Sequence, residues 1–147
     1  MKTFFDRGTR AELLGRLEAL DPGAAARWGT MDPAQMLAHC TAGFRMATGE
    51  LRVRRGFIAL FGWMLKSLAY DDRRFRTGAP TARELKIADP RAFAVEKAHF
   101  LEEFNRLGAG PAALGDRIHP FFGSLTAEQW GKLVYKHLDH HFRQFGV

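Results

Sequence analysis

Apolar residues recur every three or four positions in several stretches of the chain, and this spacing predicts helices with one buried face. The first stretch runs from Arg10 to Leu20, and an Asp-Pro-Gly turn signal at residues 21–23 ends it. Another helix is predicted to open at Asp89-Pro90 and to close near Gly108. Its inner face is formed by Phe93, Phe100, Phe104 and Leu107.

A further helix lies between these two, and capping residues indicate where it begins and ends. Asp32 is a suitable N-cap, Pro33 suits the first helical position, and Gln35 completes a capping-box pattern. We expect this helix to run to about Thr48, because Gly49 is a typical C-terminal stop. In chain order it is the second main helix.

The last helix has a capping-box start of its own, with Thr126 followed three residues later by Gln129. We expect this helix to end at Gly146. The residues before it, 118–125, contain proline and glycine and are predicted to form a turn.

The connection between the second and third main helices is longer than the others. Its apolar run, Phe57–Leu68, predicts a short additional helix, and residues 71–90 predict a loop that contains Pro80. We find no run of alternating β-branched residues. The pattern therefore predicts an all-α protein, a four-helix bundle with one short extra helix, in which residues 1–147 form a single domain.

The positive charge of the chain is concentrated in this connection. The net charge is +6, and the residues from Arg52 to Lys86 contain nine Lys/Arg but three acids, so this basic segment carries the whole excess. A basic segment around an apolar run can meet a membrane surface, a nucleic acid or an anionic substrate. Alternatively, it is a buried helix whose flanking arginines keep the surface soluble.

Several classes of protein are not supported by the sequence. The longest apolar run, Gly56–Leu65, is about half of the ~20 residues that a membrane-spanning helix needs. The first residues lack the apolar run of a secretory signal. Cys40 is the one cysteine of the chain, so an internal disulfide cannot form. We therefore expect a cytoplasmic protein. No nucleic-acid-binding motif, phosphate-binding glycine loop or nucleophile elbow is present, and no nucleic-acid partner is expected.

Histidines on the last helix suggest chemistry. At about 100° per residue, His137 and His141 fall within the apolar stripe of this helix, and His140 lies at its boundary. The same projection places Lys136, Asp139 and Arg143 on the opposite, outer side.

Two inward-facing histidines one turn apart are able to bind one metal ion, because their Cβ atoms lie roughly 5–6 Å apart. A third ligand must come from another helix, and His39, at the margin of the second helix's stripe beside Gly43, is the best candidate. We expect His99 at the surface and His119 bonded to backbone in the turn. From the pattern alone, a pair of hydrogen-bonded core histidines remains an equal alternative.

The sequence also resembles a known family. MLAHC on the second helix and HLDHHFRQ on the last are similar to motifs of the DinB-like superfamily. The pieces WGTMDPAQMLAHC, GAPTARELK and HPFFGSLTAEQWGKLVYKHLDHHFRQFG resemble one branch of it, catalogued as a domain of unknown function, and the resemblance covers essentially the whole chain.

This resemblance implies a four-helix bundle in which one histidine of the second helix joins an HxxxH pair of the last helix around a divalent metal. Carried over residue by residue, the ligands are His39, His137 and His141. Better-understood relatives use the metal for thiol chemistry. The residues expected near this pocket are Gln144, His140 and Gln35.

Two functions are compatible with these observations. One is a metalloenzyme with zinc or nickel and a small-molecule substrate, either a thiol-dependent transferase or a small hydrolase. Cys40 is expected to pack in the core rather than to bind the metal. The other is a non-catalytic binding or dimerisation module that uses the apolar and basic segment 52–76, and a homodimer is possible in either case.

Overall fold

The computed structural model describes residues 1–55, 62–79 and 81–147, and in them four α-helices form a bundle. The helices are α1 (Arg7–Glu18), α2 (Pro33–Thr48), α3 (Phe93–Gly108) and α4 (Ala127–Gln144). Short 3₁₀ helices span Gly62–Ala69, Arg83–Leu85 and Pro111–Ala113. A two-stranded antiparallel hairpin, β1 (Ile118–His119) and β2 (Gly123–Ser124), precedes α4. The predicted all-α class is confirmed.

Helix α2 has the predicted bounds, because its capping signals are local. The Asp32 carboxylate accepts a hydrogen bond from the Gln35 backbone N–H at 2.8 Å, and the Gln35 side chain accepts one from the Asp32 N–H at 3.0 Å. Gly49 ends the helix with φ 84°, in the left-handed region that glycine adopts without strain.

Other helix ends differ from the prediction. Helix α1 begins at Arg7, three residues early, because the Asp6 carboxylate caps it by accepting from the Thr9 N–H at 2.7 Å. Helix α3 begins at Phe93 rather than at Asp89-Pro90. The Asp89 backbone carbonyl instead accepts from the Gln35 side chain at 3.1 Å, which ties this residue to the start of α2.

Elements outside the main helices also differ in part from the prediction. The turn at 118–125 contains the small hairpin, whose two-residue strands are too short to show the alternation of apolar and polar residues that predicts a strand. The predicted helix Phe57–Leu68 lies partly outside the described residues, and its described part belongs to the 3₁₀ helix Gly62–Ala69. None of the helices in the described part of the chain is long and apolar enough to cross a membrane.

Aromatic side chains fill the centre of the bundle. Helix α2 packs most extensively against α3, and α1 and the 3₁₀ helix Gly62–Ala69 pack against α4. The Phe44 and Phe100 ring centroids are 5.2 Å apart, and those of Phe4 and Phe104 are 4.8 Å apart, both in edge-to-face geometry. The N-terminal segment approaches α4 so closely that a side chain on Gly131 would overlap with Thr3 and Phe5.

The prediction that Lys136 lies on an outer face of α4 is wrong. Lys136 is 5% exposed, and its ammonium donates to the Leu68 carbonyl at 2.6 Å and to the Asp71 carboxylate at 2.8 Å. Asp139 and Arg143 are not fully exposed either, because Asp139 pairs with Arg16 of α1 at 2.9 Å and with Arg143 at 2.9 Å. Helix α4 thus has neighbours on several sides, and the hydrogen bonds of Lys136 attach the α2–α3 connection to it.

Candidate metal centre

The fold brings three histidines from two helices together. His39 lies on α2, and His137 and His141 lie one turn apart on α4. The Nε2 atoms of His39 and His137 are 3.0 Å apart, and one ring nitrogen from each of the three residues lies within 4.8 Å of the others. The three histidines therefore lie close enough to bind one metal ion.

A glycine on α2 makes room for this arrangement. A Cβ atom added at Gly43, one turn after His39, would lie 3.2 Å from Cε1 of His137 and 3.4 Å from its Nδ1. The contact with Cε1 is tighter than ordinary van der Waals packing, so a side chain here would push the His137 ring outward by a few tenths of an ångström. The absence of a side chain at Gly43 therefore allows the His137 ring to approach α2 and meet His39.

The α2–α3 connection fixes the His39 ring. Nδ1 of His39 lies 2.8 Å from the backbone carbonyl of Leu85, in the 3₁₀ helix Arg83–Leu85. A carbonyl oxygen only accepts hydrogen bonds, so Nδ1 carries the proton and donates it. In the neutral ring, Nε2 is then left with its lone pair directed at His137.

Gln144 fixes the His141 ring in the same way. Its Oε1 lies 2.8 Å from Nδ1 of His141, and its Nε2 donates to the Trp28 carbonyl at 2.6 Å. Nδ1 of His141 is therefore the donor, and Nε2 keeps its lone pair. Within the described residues we find no hydrogen bond to Nδ1 of His137.

All three imidazoles are neutral at physiological pH. Burial lowers the pKa of His39, and burial lowers the pKa of His141 to about 3. The pKa of His137 lies well below its ordinary value of 6.5, first because of burial and then because of the nearby His141 and His39. A neutral imidazole is the form that binds a metal, so no proton must leave a charged ring before an ion enters.

The donor set fits a divalent ion. Nitrogen atoms that bind one tetrahedral zinc at 2.0–2.1 Å are about 3.3 Å apart, so the 3.0 Å separation of the His39 and His137 nitrogens requires little adjustment. Imidazole ligands suit zinc, nickel, copper and iron. Three ligands leave coordination positions open, which is typical of catalytic rather than structural zinc sites.

The remaining histidines lie outside this cluster. The His140 ring is not one of the three converging rings, but it is half-buried and packs edge-on against His141 at 5.1 Å between centroids and against Trp28 at 5.4 Å. His99 is exposed, as predicted. Nδ1 of His119 accepts from the backbone N–H groups of Phe121 and Phe122 at 3.1 and 3.2 Å, so its predicted bond to turn backbone is confirmed.

Two further sequence candidates have other partners. Gln35 takes part in the capping box of α2 and bonds the Asp89 carbonyl. Cys40 is buried, its Sγ atom lies 3.7 Å from the Met36 sulfur, and burial raises the pKa of its thiol. These contacts agree with a packing role for Cys40, as expected.

Backbone groups that contact the site were not found by sequence reasoning. Every residue has a backbone carbonyl, so the residue types at Leu85 and Trp28 do not indicate that their carbonyls bond the histidine cluster or Gln144. The glycine at position 29, which adopts φ 78°, is the sequence signal for an unusual turn beside Trp28. The Trp28 indole nitrogen is also buried and has no hydrogen-bond partner among the described residues.

The chain was compared with known proteins. No significant match is found among curated proteins or among solved structures. A family model described as the DinB superfamily matches residues 6–145, which span the whole bundle and all three histidines. The chain therefore belongs to the DinB superfamily.

Proposed function

We propose that this protein is a divalent-metal-dependent enzyme whose metal ligands are His39, His137 and His141. The observation that supports it is the convergence of three neutral ring nitrogens from α2 and α4. Two of these rings already have Nδ1 bonded to an acceptor, so their Nε2 atoms are the ones available for ligation. Zinc or nickel is the proposed ion.

The surroundings of the site favour a thiol as the substrate. A bound divalent ion supplies a Lewis acid that lowers the pKa of a thiol or a water molecule. Among the described residues, no carboxylate joins the three-histidine group, so a general base for hydrolysis is not evident there. A thiol loses its proton more readily than water. A thiol-dependent transferase acting on a small molecule is therefore preferred to a small hydrolase.

The direct test is the metal content of the wild-type protein, purified without a histidine tag. We expect one zinc or nickel ion per chain after removal by a chelator and reloading, measured by elemental analysis. Reloading should also raise the unfolding temperature, because an ion that binds only the folded state at 100 times its Kd adds about 2.7 kcal/mol of stability. Failure to reach stoichiometric loading would contradict the proposal.

A second candidate function has its own observation. Met64 is 63% exposed and Leu65 is 44% exposed on the 3₁₀ helix Gly62–Ala69. Six arginines of the connection are also exposed: Arg52, Arg54, Arg55, Arg73, Arg74 and Arg76. A segment that exposes both apolar side chains and guanidinium groups matches an anionic lipid surface. We propose docking to such a surface as the alternative role of segment 52–76.

Vesicle cosedimentation separates this role from a purely structural one. We expect the protein to sediment with vesicles that contain phosphatidylglycerol, not with pure phosphatidylcholine, and less at high salt. The double variant Met64→Ser/Leu65→Ser should lose this binding, whereas Val95→Ser, at a 50% exposed residue of α3, should keep it. Equal behaviour of the two variants, or no sedimentation of the wild type, would exclude docking through this helix.

A further inference from the structure

We infer that Gln144 is a positioning residue that holds His141 as the Nδ1–H tautomer, and that the turn at Trp28-Gly29 holds Gln144 in place. The tautomer itself does not depend on a metal. Only its consequence for metal affinity rests on the proposed function. Three hydrogen bonds support this inference. Two join Gln144 to the turn between α1 and α2, and the third joins Gln144 to His141 within α4.

The Gln144 amide has one orientation that satisfies both of its neighbours. Its Nε2 donates to the Trp28 carbonyl at 2.6 Å, and its Oε1 accepts from Nδ1 of His141 at 2.8 Å. A flipped amide would place Oε1 against the Trp28 carbonyl, so that two acceptors would face each other. Gln144 is 2% exposed, so water does not compensate for such a mismatch.

The turn between α1 and α2 lies in close contact with Gln144. The Arg27 backbone N–H donates to the Gln144 carbonyl at 2.8 Å, which attaches the turn to the end of α4. Gly29 has φ 78°, and a Cβ atom there would lie 2.8 Å from Nε2 of Gln144. Gly29 is therefore needed for two reasons, its backbone conformation and the space that the Gln144 side chain occupies.

This arrangement determines what His141 offers to an ion. With Nδ1 committed to Gln144, the lone pair of a neutral His141 is confined to Nε2. Without Gln144, the ring is free to adopt the other tautomer or to rotate, and part of the binding energy is spent on reordering it. Hydrogen-bond partners of ligating histidines typically change metal affinity by about 10- to 100-fold.

The test compares variants that keep or remove the acceptor. In Gln144→Leu, we expect ¹H–¹⁵N spectra of the metal-free protein to show His141 as a mixture of tautomers, whereas the wild type shows the Nδ1–H form alone. Zinc affinity, measured by chelator competition, should fall by about 10- to 100-fold. Gln144→Glu keeps an acceptor for Nδ1 but loses the donor to the Trp28 carbonyl, so the neutral His141 ring should remain in the Nδ1–H form while the contact with the turn is lost.

Two glycine variants test the turn. Gly29→Ala should disturb the Gln144 amide and lower zinc affinity in the same direction as Gln144→Leu. Gly78→Ala is the matched control, because Gly78 also has a positive φ, 73°, but no atom of the described residues lies within 4 Å of a Cβ added there. Both variants carry the backbone strain of a left-handed alanine, whereas only Gly29→Ala contacts Gln144.

The outcomes distinguish this inference from the proposed function. If Gln144→Leu retains a pure Nδ1–H His141, or if the wild type already shows mixed tautomers, Gln144 does not position the ring. Should Gln144→Leu fail to fold, the wild-type spectrum still tests whether His141 is in the Nδ1–H form. The zinc affinities of the two glycine variants then test whether the turn holds Gln144. If the wild type binds no metal, the enzyme proposal fails, but the tautomer measurement on the metal-free protein remains decisive for Gln144.

Discussion

Replacing His137 by alanine is expected to lower the affinity for zinc by about 100- to 1000-fold. Structural zinc sites with four ligands bind with about 10–16 kcal/mol, so one ligand of four supplies about 2.5–4 kcal/mol, and each ~1.4 kcal/mol is a factor of ten. The three rings are mutual neighbours, because the His137 centroid lies 5.0 Å from that of His39 and 4.7 Å from that of His141, and the His39 and His141 centroids are 4.7 Å apart. Chelator competition measures the loss.

A histidine variant away from the site serves as the control for this prediction. His99→Ala removes an exposed ring of α3. It should keep zinc affinity within a few-fold of the wild type, and far-UV circular dichroism should show that both variants fold. An affinity of His137→Ala equal to that of His99→Ala would place the ion elsewhere or remove the site altogether.

Local signals explain why the helix positions were largely predictable from the sequence. Helix α2 has the predicted start and end because its capping box and its left-handed Gly49 involve residues close in sequence. The start of α3 was predicted less well, since Asp89 resembles a cap but its carbonyl is bonded to Gln35, 54 residues away. A pattern of single residues does not contain such a long-range contact.

The error at Lys136 has a related cause. An angular projection assumes that a helix has one buried face and one solvent face, and α4 departs from this assumption. The α2–α3 connection covers the side of α4 that carries Lys136, and the Leu68 carbonyl and the Asp71 carboxylate compensate for burial of the ammonium. Such compensation depends on the path of a loop that composition and periodicity do not specify.

The candidate site shows the same division between local and tertiary information. The inward pair His137 and His141 follows from the strong period of α4, and the edge position of His39 from the weaker period of α2. The carbonyls that orient the rings, those of Leu85 and Trp28, belong to connecting segments. Sequence reasoning thus identified the groups that could bind a metal, but not the contacts that prepare them for it.

Acid is expected to destabilise the folded protein, in part through His119. Burial lowers the pKa of His119 from its ordinary value of 6.5 to about 4. The unfolded chain therefore takes up this proton at a higher pH than the folded chain does, so the contribution is complete above pH 6.5 and is lost as the pH falls toward 4. Linkage over this interval predicts a loss of at most about 2 to 3 kcal/mol at about pH 4.5, an upper value because the ring is partly exposed.

The variant His119→Asn isolates this contribution. The side-chain oxygen of the introduced asparagine can accept the Phe121 N–H as Nδ1 of His119 does, so the turn is kept while the titrating group is removed. Loss of the ring contact with Trp130, now 5.4 Å between centroids, should make the variant somewhat less stable at pH 7. Between pH 7 and about pH 4.5, however, urea unfolding of the metal-free proteins should show that the variant loses less stability than the wild type, by at most about 2 to 3 kcal/mol. His99→Asn, at an exposed ring, is the control. Equal acid losses in the wild type and in His119→Asn would mean that the folded protein accommodates a charged His119 without cost, and that the acid sensitivity arises from other groups, among them the three-histidine cluster and Asp71, whose pKa is lowered by its hydrogen bond with Lys136.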